Sequence, residues 1–429
     1  MTKKEKTMKY LIKNSTVIDP KNNINEVLDV LISNGKIKQI GKNLKALGAK
    51  TINAKGMITA PGFVDMHVHF RQPGFEYKET ILSGSLSAIK GGVTSVAVMP
   101  NTNPVMDTSE RVENLQKIIK KDGKINVFVL GCITREQKGE NITDFSKLKS
   151  VGCVGFTDDG HCVNSAKVME KAFEKSGKRN LLFISHAEDT SLSAGGVMNE
   201  GFIADKLGLK GVSNESEYKI VERDIKLAKK HKARIHIAHV STKESCELIR
   251  KAKKQGVKIT AEATPHHFTL TEKECESFNA NFKMAPPLRK QKDVDAIKKA
   301  IKDGTINCIA TDHAPHAVHE KDIEFSNAMN GIIGLETALP LAIENLVDTK
   351  HLNMMGLVCV MSYSPAQILG VDKGHLTEGS EADVVVFDPQ EKWIYNKEDI
   401  VSKSKNSPFI GKELKGKVKY TFVAGKLAS

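Results

Sequence analysis

Two histidines and an arginine stand at alternate positions in the run GFVDMHVHFRQPG: His67, His69 and Arg71. In an extended strand residues i and i+2 face the same side, so the two imidazoles project together while Val68 turns away. Two such rings can share one metal ion, although a hydrogen-bonded pair of core histidines has the same spacing. Polar groups closing other apolar runs tip the balance toward metal: His186 in ISHAED, His239 in IAHVST and Asp312 in ATDHAPH. Neutral imidazole and carboxylate suit zinc and its first-row neighbours, and four histidines with a carboxylate exceed what one tetrahedral site needs. The pattern predicts two ions and an anion to bridge them, for which FTDDG offers Asp158 and Asp159. Each residue alone reads as a satisfied core polar group or a helix cap. Five such placements at the ends of apolar runs point to one centre.

These groups need elements that bring them to one place. Eight β-branched runs, GFVDMHVHF, VTSVAVMPN, INVFVLGCIT, GCVGFTDDG, LLFISHAED, RIHIAHVST, KITAEATPHH and NCIATDHAPH, alternate with lysine-rich helical stretches. That alternation predicts a (β/α)8 barrel, whose chemistry sits at the C-terminal ends of its strands. A doubly wound open sheet is the rival, but it has no need of His, Asp, Asn or Thr at nearly every strand end. The flanks differ: YLIKNSTVID, DVLISNGKIKQIG, EADVVVFDP and KGKVKYTFVAGKLA read as short strands broken by turns. The expected organisation is a β-rich segment over 1–60, the barrel over 61–374 and a second β-rich segment over 375–429.

Composition narrows the function classes. A chain of 429 residues with 40% hydrophobic content can bury a sizeable core and exceeds the usual single domain. The net charge of +13 comes from lysines dispersed as in KAKKQGVK, without aromatic interleaving or a recognition motif, so no nucleic-acid partner is expected. Only eight of the 64 basic residues are arginines, which makes Arg71 beside two histidines harder to assign to surface background. Seven scattered cysteines, none at CxxC spacing, suggest neither a disulfide framework nor a thiolate metal site. No apolar run reaches about 18 residues, and the opening MTKKEKTMKYLIKN lacks the apolar core of a secretory signal. A cytoplasmic protein without a membrane partner is expected.

DMHVHFRQPG, VAVMPNTNP, GFTDDG, ISHAED, IAHVST, KMAPPLR and ATDHAPH, with GLETALP following, resemble bacterial dihydroorotases of the amidohydrolase superfamily. The likeness runs nearly end to end and includes HLTEGSEADVVVFDP and KNSPFIGKELKGKVKYTFVAGK, typical of the small composite β-sandwich such enzymes build from both termini. It implies two zinc ions per subunit, one held by His67 and His69 and the other by His186 and His239. Asp159 would bridge them, and Asp312 would bind the first while serving as acid and base. It also implies that Arg71, Asn101 and His316 hold the substrate carboxylate, with His69, Asn330 and Gly331 also in contact with substrate. The reaction implied is the reversible cyclisation of N-carbamoyl-L-aspartate to dihydroorotate in pyrimidine biosynthesis. Hydantoinases and dihydropyrimidinases generally bridge their metals with a carboxylated lysine at the end of strand four, and VGCVGFTDDG contains no lysine.

The sequence departs from the resemblance at Ala285, where many dihydroorotases have asparagine, and at Asn330, where some have phenylalanine. A side-chain contact is lost at the first, while backbone groups can serve at the second. His266 and His267 of TPHH are best read as ordering the strand-seven loop. Two other readings stay open: another cyclic amidase such as a hydantoinase, dihydropyrimidinase or allantoinase, and a non-catalytic scaffold of aspartate transcarbamoylase. The scaffold is expected to have lost metal ligands, and here all six are present. A homodimer and a transcarbamoylase partner are compatible with the resemblance, and nothing in the surface pattern selects either.

Overall fold

The computed structural model describes residues 8–176 and 179–429. Residues 1–7, part of the opening read above as lacking a signal core, lie outside the described residues. Eight parallel strands form one sheet in chain order: Phe63–Val68, Val93–Val98, Asn126–Gly131, Cys153–Phe156, Leu182–Ser185, Arg234–Ile237, Ile259–Ala263 and Cys308–Ile309. All eight expected runs are therefore strands, and the sheet curls round so that its ends meet. Val68 bridges His313 in parallel, and the His69 amide donates to the His313 carbonyl at 2.8 Å. The Asp65 carboxylate adds to the seam by accepting from the Thr311 amide and hydroxyl. Helices such as Ile81–Lys90, Ser109–Asp122 and Lys243–Lys254 return the chain between strands, each started by a threonine whose hydroxyl accepts from a first-turn amide. Their apolar faces pack on the outside of the barrel, through residues such as Ile89, Leu115 and Ile249.

The flanking β-rich segments join into one sheet. Its order runs Lys426–Leu427, Glu413–Val423, Val384–Ile394, Ile58–Pro61, Tyr10–Asp19, Ile24–Ser33 and Lys36–Gly41, with Lys50–Asn53 also paired to Tyr10–Asp19. Val384–Phe387 pairs antiparallel with Ile58–Pro61, so the two ends of the chain complete one another. Ile12, Val30, Ile37, Val384 and Phe422 meet in its core. Phe387 reaches from this sheet to Phe63 of the first barrel strand, ring centres 6.0 Å apart, which couples the two bodies through buried aromatic area. Among the described residues no helix is long and apolar enough to cross a membrane.

Candidate active site

Every barrel strand is shorter than its apolar run, because the polar residues closing the runs have left the ladder. His67 is the penultimate residue of the first strand, while His69, Arg71, Asp159, His186, His239 and Asp312 lie just beyond strand ends. Three of them hold the left-handed backbone that side chains rarely adopt: Arg71 at φ 61°, His239 at φ 31° and Asp312 at φ 48°. Each such residue costs about 1–3 kcal/mol, a strain that persists only where surrounding structure over-determines it, typically at functional sites. Here it turns the side chains inward over the barrel mouth.

They converge tightly. Asp159 stands 3.4 Å from the Nε2 atoms of both His67 and His69, 3.3 Å from His186 Nδ1 and 3.5 Å from His239 Nε2. Asp312 Oδ1 is 3.0 Å from His69 Nε2 and 3.4 Å from His67 Nε2. Asp158 turns elsewhere: it accepts from the Ile133 and Thr134 amides and the Thr134 hydroxyl, tying the ends of strands three and four together. Burial pushes the Asp159 carboxyl up, but His67 and the hydrogen bonds of the other histidines hold it well below the usual carboxylate range. Asp312 behaves alike, with burial outweighed by His67 and His69, and rests at about 2.

The cluster fits divalent metal. His67 Nε2 is fully buried and has no hydrogen-bond partner among the described residues, although two carboxylates stand 3.4 Å away. His186 Nδ1 and His239 Nε2 face one another at 2.8 Å. Two triads could each hold an ion, His67 with His69 and Asp312, and His67 with Asp159 and His239. The two triads share His67, whose Nδ1 is given to Glu262, so its single inward nitrogen can serve only one ion.

Outside this ring lie partners that set which imidazole nitrogen faces inward. His67 donates from Nδ1 to Glu262 at 2.6 Å, His69 from Nδ1 to Asn101 Oδ1 at 2.9 Å, and His186 points Nε2 at Glu188, 3.3 Å away. Glu262 is wholly buried in strand seven and also meets His236 Nε2 at 3.1 Å and the His239 amide at 3.2 Å. Despite burial, His67 and His236 hold its carboxyl far below its ordinary range. Sequence reasoning missed Glu262, His236 and Glu188. The available signals were a lone acid inside the apolar run KITAEATPHH and the acid two residues after His186. Glu262→Gln is expected to weaken divalent-metal retention about tenfold by reducing the basicity of His67 and loosening its orientation. Metal content after graded chelation measures this, and unchanged retention would remove Glu262 from that role.

A cavity of about 530 Å³ opens onto the cluster, and His69, Arg71, Asn101, Asp159, His316, Asn330, Gly331 and Ala285 all border it. Arg71 donates from Nε to the Pro315 carbonyl and lies 3.3 Å from His316 Nε2. It has no carboxylate partner within 4.0 Å among the described residues, and burial lowers its pKa only to about 10, so it stays charged at neutral pH. Asn101 commits Oδ1 to His69 and leaves its amide N–H groups for other acceptors; Gly160 makes room, since a Cβ there would lie 2.7 Å from Asn101 Nδ2. Gly331 has φ 127°, and a Cβ on it would press within 2.6 Å of Ala314. Its amide donates to the Lys283 carbonyl and its carbonyl accepts from Lys321 and Asn406, so it offers a ligand shape rather than free hydrogen bonds. Asn406, from the C-terminal segment, also accepts from the His316 amide. His267 is occupied structurally by Thr264 and the Pro286 carbonyl, and His266 packs on it with ring centres 4.4 Å apart.

The family profile described as Dihydro-orotase-like matches residues 56–245. The chain is 56% identical to the dihydroorotase of Elusimicrobium minutum, covering 98% of this chain and 97% of that one, and 49% identical to the dihydroorotase of Geobacter metallireducens over 98% and 99%. Among solved structures it superposes on the L-hydantoinase (dihydropyrimidinase) of Arthrobacter aurescens with a TM-score of 0.87 at 26% identity, over 98% of this chain and 96% of that one. The dihydropyrimidinase of Brevibacillus agri has the same fold, with a TM-score of 0.84 at 23% identity over 98% and 95%. A cyclic-amidase barrel, a histidine and carboxylate cluster suited to metal, and full-length likeness at this level lead to one assignment: the chain belongs to the dihydroorotase family of the amidohydrolase superfamily.

Proposed function

We propose that this protein acts as a dihydroorotase with two zinc ions per chain, closing N-carbamoyl-L-aspartate to dihydroorotate with loss of water and opening it again. The observation that carries the reading is the charged Arg71, without a carboxylate partner, on the wall of the cavity that also holds the metal-ligand cluster. A guanidinium fork matches a carboxylate geometrically, and a six-membered ring bearing one would place its amide toward the cluster. His67, His69, Asp159, His186, His239 and Asp312 would hold the ions, which when bound lower the pKa of water and polarise an amide carbonyl.

The chain's own residues supply the rest. Asp312, ionised at neutral pH and fixed by His69, takes the proton of the attacking water as the new C–O bond forms, then delivers it to the ring nitrogen as the C–N bond breaks. In the closing direction protonated Asp312 gives its proton to the departing hydroxyl. Arg71, the Asn101 amide and His316 grip the carboxylate outside the ring, while Gly331 keeps that wall of the cavity open.

The reading is tested with two substrates and two enzymes. Dihydrouracil is the same ring without the carboxylate and should be a poor substrate, because the buried donors stay unpaired. A charged contact contributes about 1.5–3 kcal/mol, so Arg71→Met should lower kcat/KM for dihydroorotate by about one to two orders of magnitude. The loss on dihydrouracil should be much smaller. Equal losses would assign Arg71 to support of the fold or the metals, and efficient wild-type turnover of dihydrouracil would move the assignment to a dihydropyrimidinase.

A further inference from the structure

His316 is pressed between groups that dictate where its proton sits. Its Nε2 lies 2.9 Å from the Asn330 carbonyl oxygen, which can only accept, and 3.3 Å from Arg71 Nη2, which can only donate; the shorter contact puts the hydrogen on Nε2. A second proton on Nδ1 is opposed by burial and by Arg71, Lys78 and Lys321, and His316 is held well below the ordinary imidazole range. Nδ1 is therefore a lone pair, and the group that meets it is the ammonium of Lys78, 3.4 Å away. Lys78 is itself nearly buried, anchored 2.7 Å from Glu320 Oε1 and 5.5 Å from the ring centres of Phe75 and Tyr77. The other oxygen of Glu320 stands 3.5 Å from His316 Nδ1. Without an ammonium at position 78 that carboxylate would face Nδ1 and attract its proton.

We propose that Lys78 is a positioning residue for substrate recognition: its ammonium occupies the Nδ1 side of His316 and so keeps the imidazole in the tautomer whose Nε2–H, donated to the Asn330 carbonyl, is a donor that a substrate carboxylate beside Arg71 can share. The inference rests on the dihydroorotase reading of the Arg71 and His316 wall. In this arrangement Nε2–H and the Arg71 Nη2 group 3.3 Å away are both donors, so an anion facing the pair can accept from both. The opposite tautomer, with Nδ1–H given to Glu320, would turn a lone pair toward the ligand and convert the cradle from attractive to repulsive. The charged groups around the ring are Arg71 after the first strand, Lys78 before the first helix, and Glu320 and Lys321 after the last strand. With all four present the neutral Nε2–H form should serve across the neutral pH range.

The test compares wild type, Lys78→Met and Lys78→Arg, each as the full metal-loaded chain. Nitrogen-15 spectra of histidine-labelled wild type should show His316 protonated at Nε2 only, at pH 7 to 8. The wild-type KM for dihydroorotate should show no imidazole step between about pH 6 and 8.5. In Lys78→Met the Glu320 carboxylate keeps the Tyr77 hydroxyl and the Ala317 amide but loses its ammonium: His316 should bind the substrate as imidazolium at low pH and flip to Nδ1–H as it loses a proton. Its KM should therefore climb with pH, reaching about tenfold above wild type at the alkaline end, with the change carried mainly by KM. Lys78→Arg, which keeps a donor, should restore the flat profile, an outcome that general loosening of the fold would not produce. A wild type inert toward dihydroorotate overturns the functional reading and this proposal together. An active wild type with the His316 proton on Nδ1 overturns the proposal alone, and that measurement holds even if Lys78→Met fails to fold. A Lys78→Met enzyme with the wild-type KM profile also overturns it.

Discussion

Asp312→Asn is expected to lower turnover about 10²–10⁴-fold in both directions, the range associated with a positioned acid and base. The amide keeps the shape of the carboxylate and can still face His69, but it can neither take the water proton nor return one to the hydroxyl. The two directions respond differently to pH. Ring opening converts a monoanion into a dianion and releases a proton, so closure gains as pH falls. A single group that must be ionised for opening and protonated for closing gives the same ordering in the rates. Asp312 also stands among the proposed ligands, which makes metal content the necessary companion measurement: loss of rate at full metal load assigns the proton work to Asp312, and loss of both assigns part of it to the ions. Retained turnover in a metal-loaded Asp312→Asn enzyme would exclude it as the proton carrier.

Asp159→Ala should have an effect of comparable size through the metals. Asp159 lies within 3.5 Å of ring nitrogens on all four histidines, so its removal takes away the one negative charge common to the cluster. Losing a residue that merely orients a ligand typically costs about 10–100-fold in metal affinity. A carboxylate at the centre should cost more, and Asp159→Ala should purify with at least one site empty and with little activity. Asp158→Ala is the informative contrast. Asp158 is spent on the amides of Ile133 and Thr134, so its loss should lower stability while metal content stays near the wild-type value. A fully loaded, fully active Asp159→Ala protein would sink the bridging role.

Much of this could be read before any folding. The eight strands were legible because β-branched runs and helical stretches alternate locally, and His67 and His69 because an i, i+2 pair shares a face whatever surrounds it. The polar endings of the runs marked the functional face for the same reason: a buried strand does not retain histidine or aspartate without a partner. The family likeness then assigned roles to those residues.

Other features depended on contacts that sequence spacing does not encode. FTDDG presents two adjacent carboxylates, and only packing against Ile133 and Thr134 directs Asp158 away and leaves Asp159 at the cluster. Glu262 reaches His67 across 195 residues, and Lys78 reaches His316 across 238. Neither pairing leaves a local pattern, because each is created by barrel closure and by loops meeting over its mouth. Asn330 and Gly331 were expected to offer backbone groups to a ligand, yet Gly331 spends its amide and carbonyl on Lys283, Lys321 and Asn406, and the Asn330 carbonyl takes the His316 hydrogen. Residue type and period thus determined the barrel and the candidate metal ligands, since both are properties of short stretches. Which carboxylate enters the centre, which nitrogen of each histidine faces inward and which backbone groups remain free were decided by the tertiary structure, because a donor or acceptor is defined by the partner that the fold brings to it.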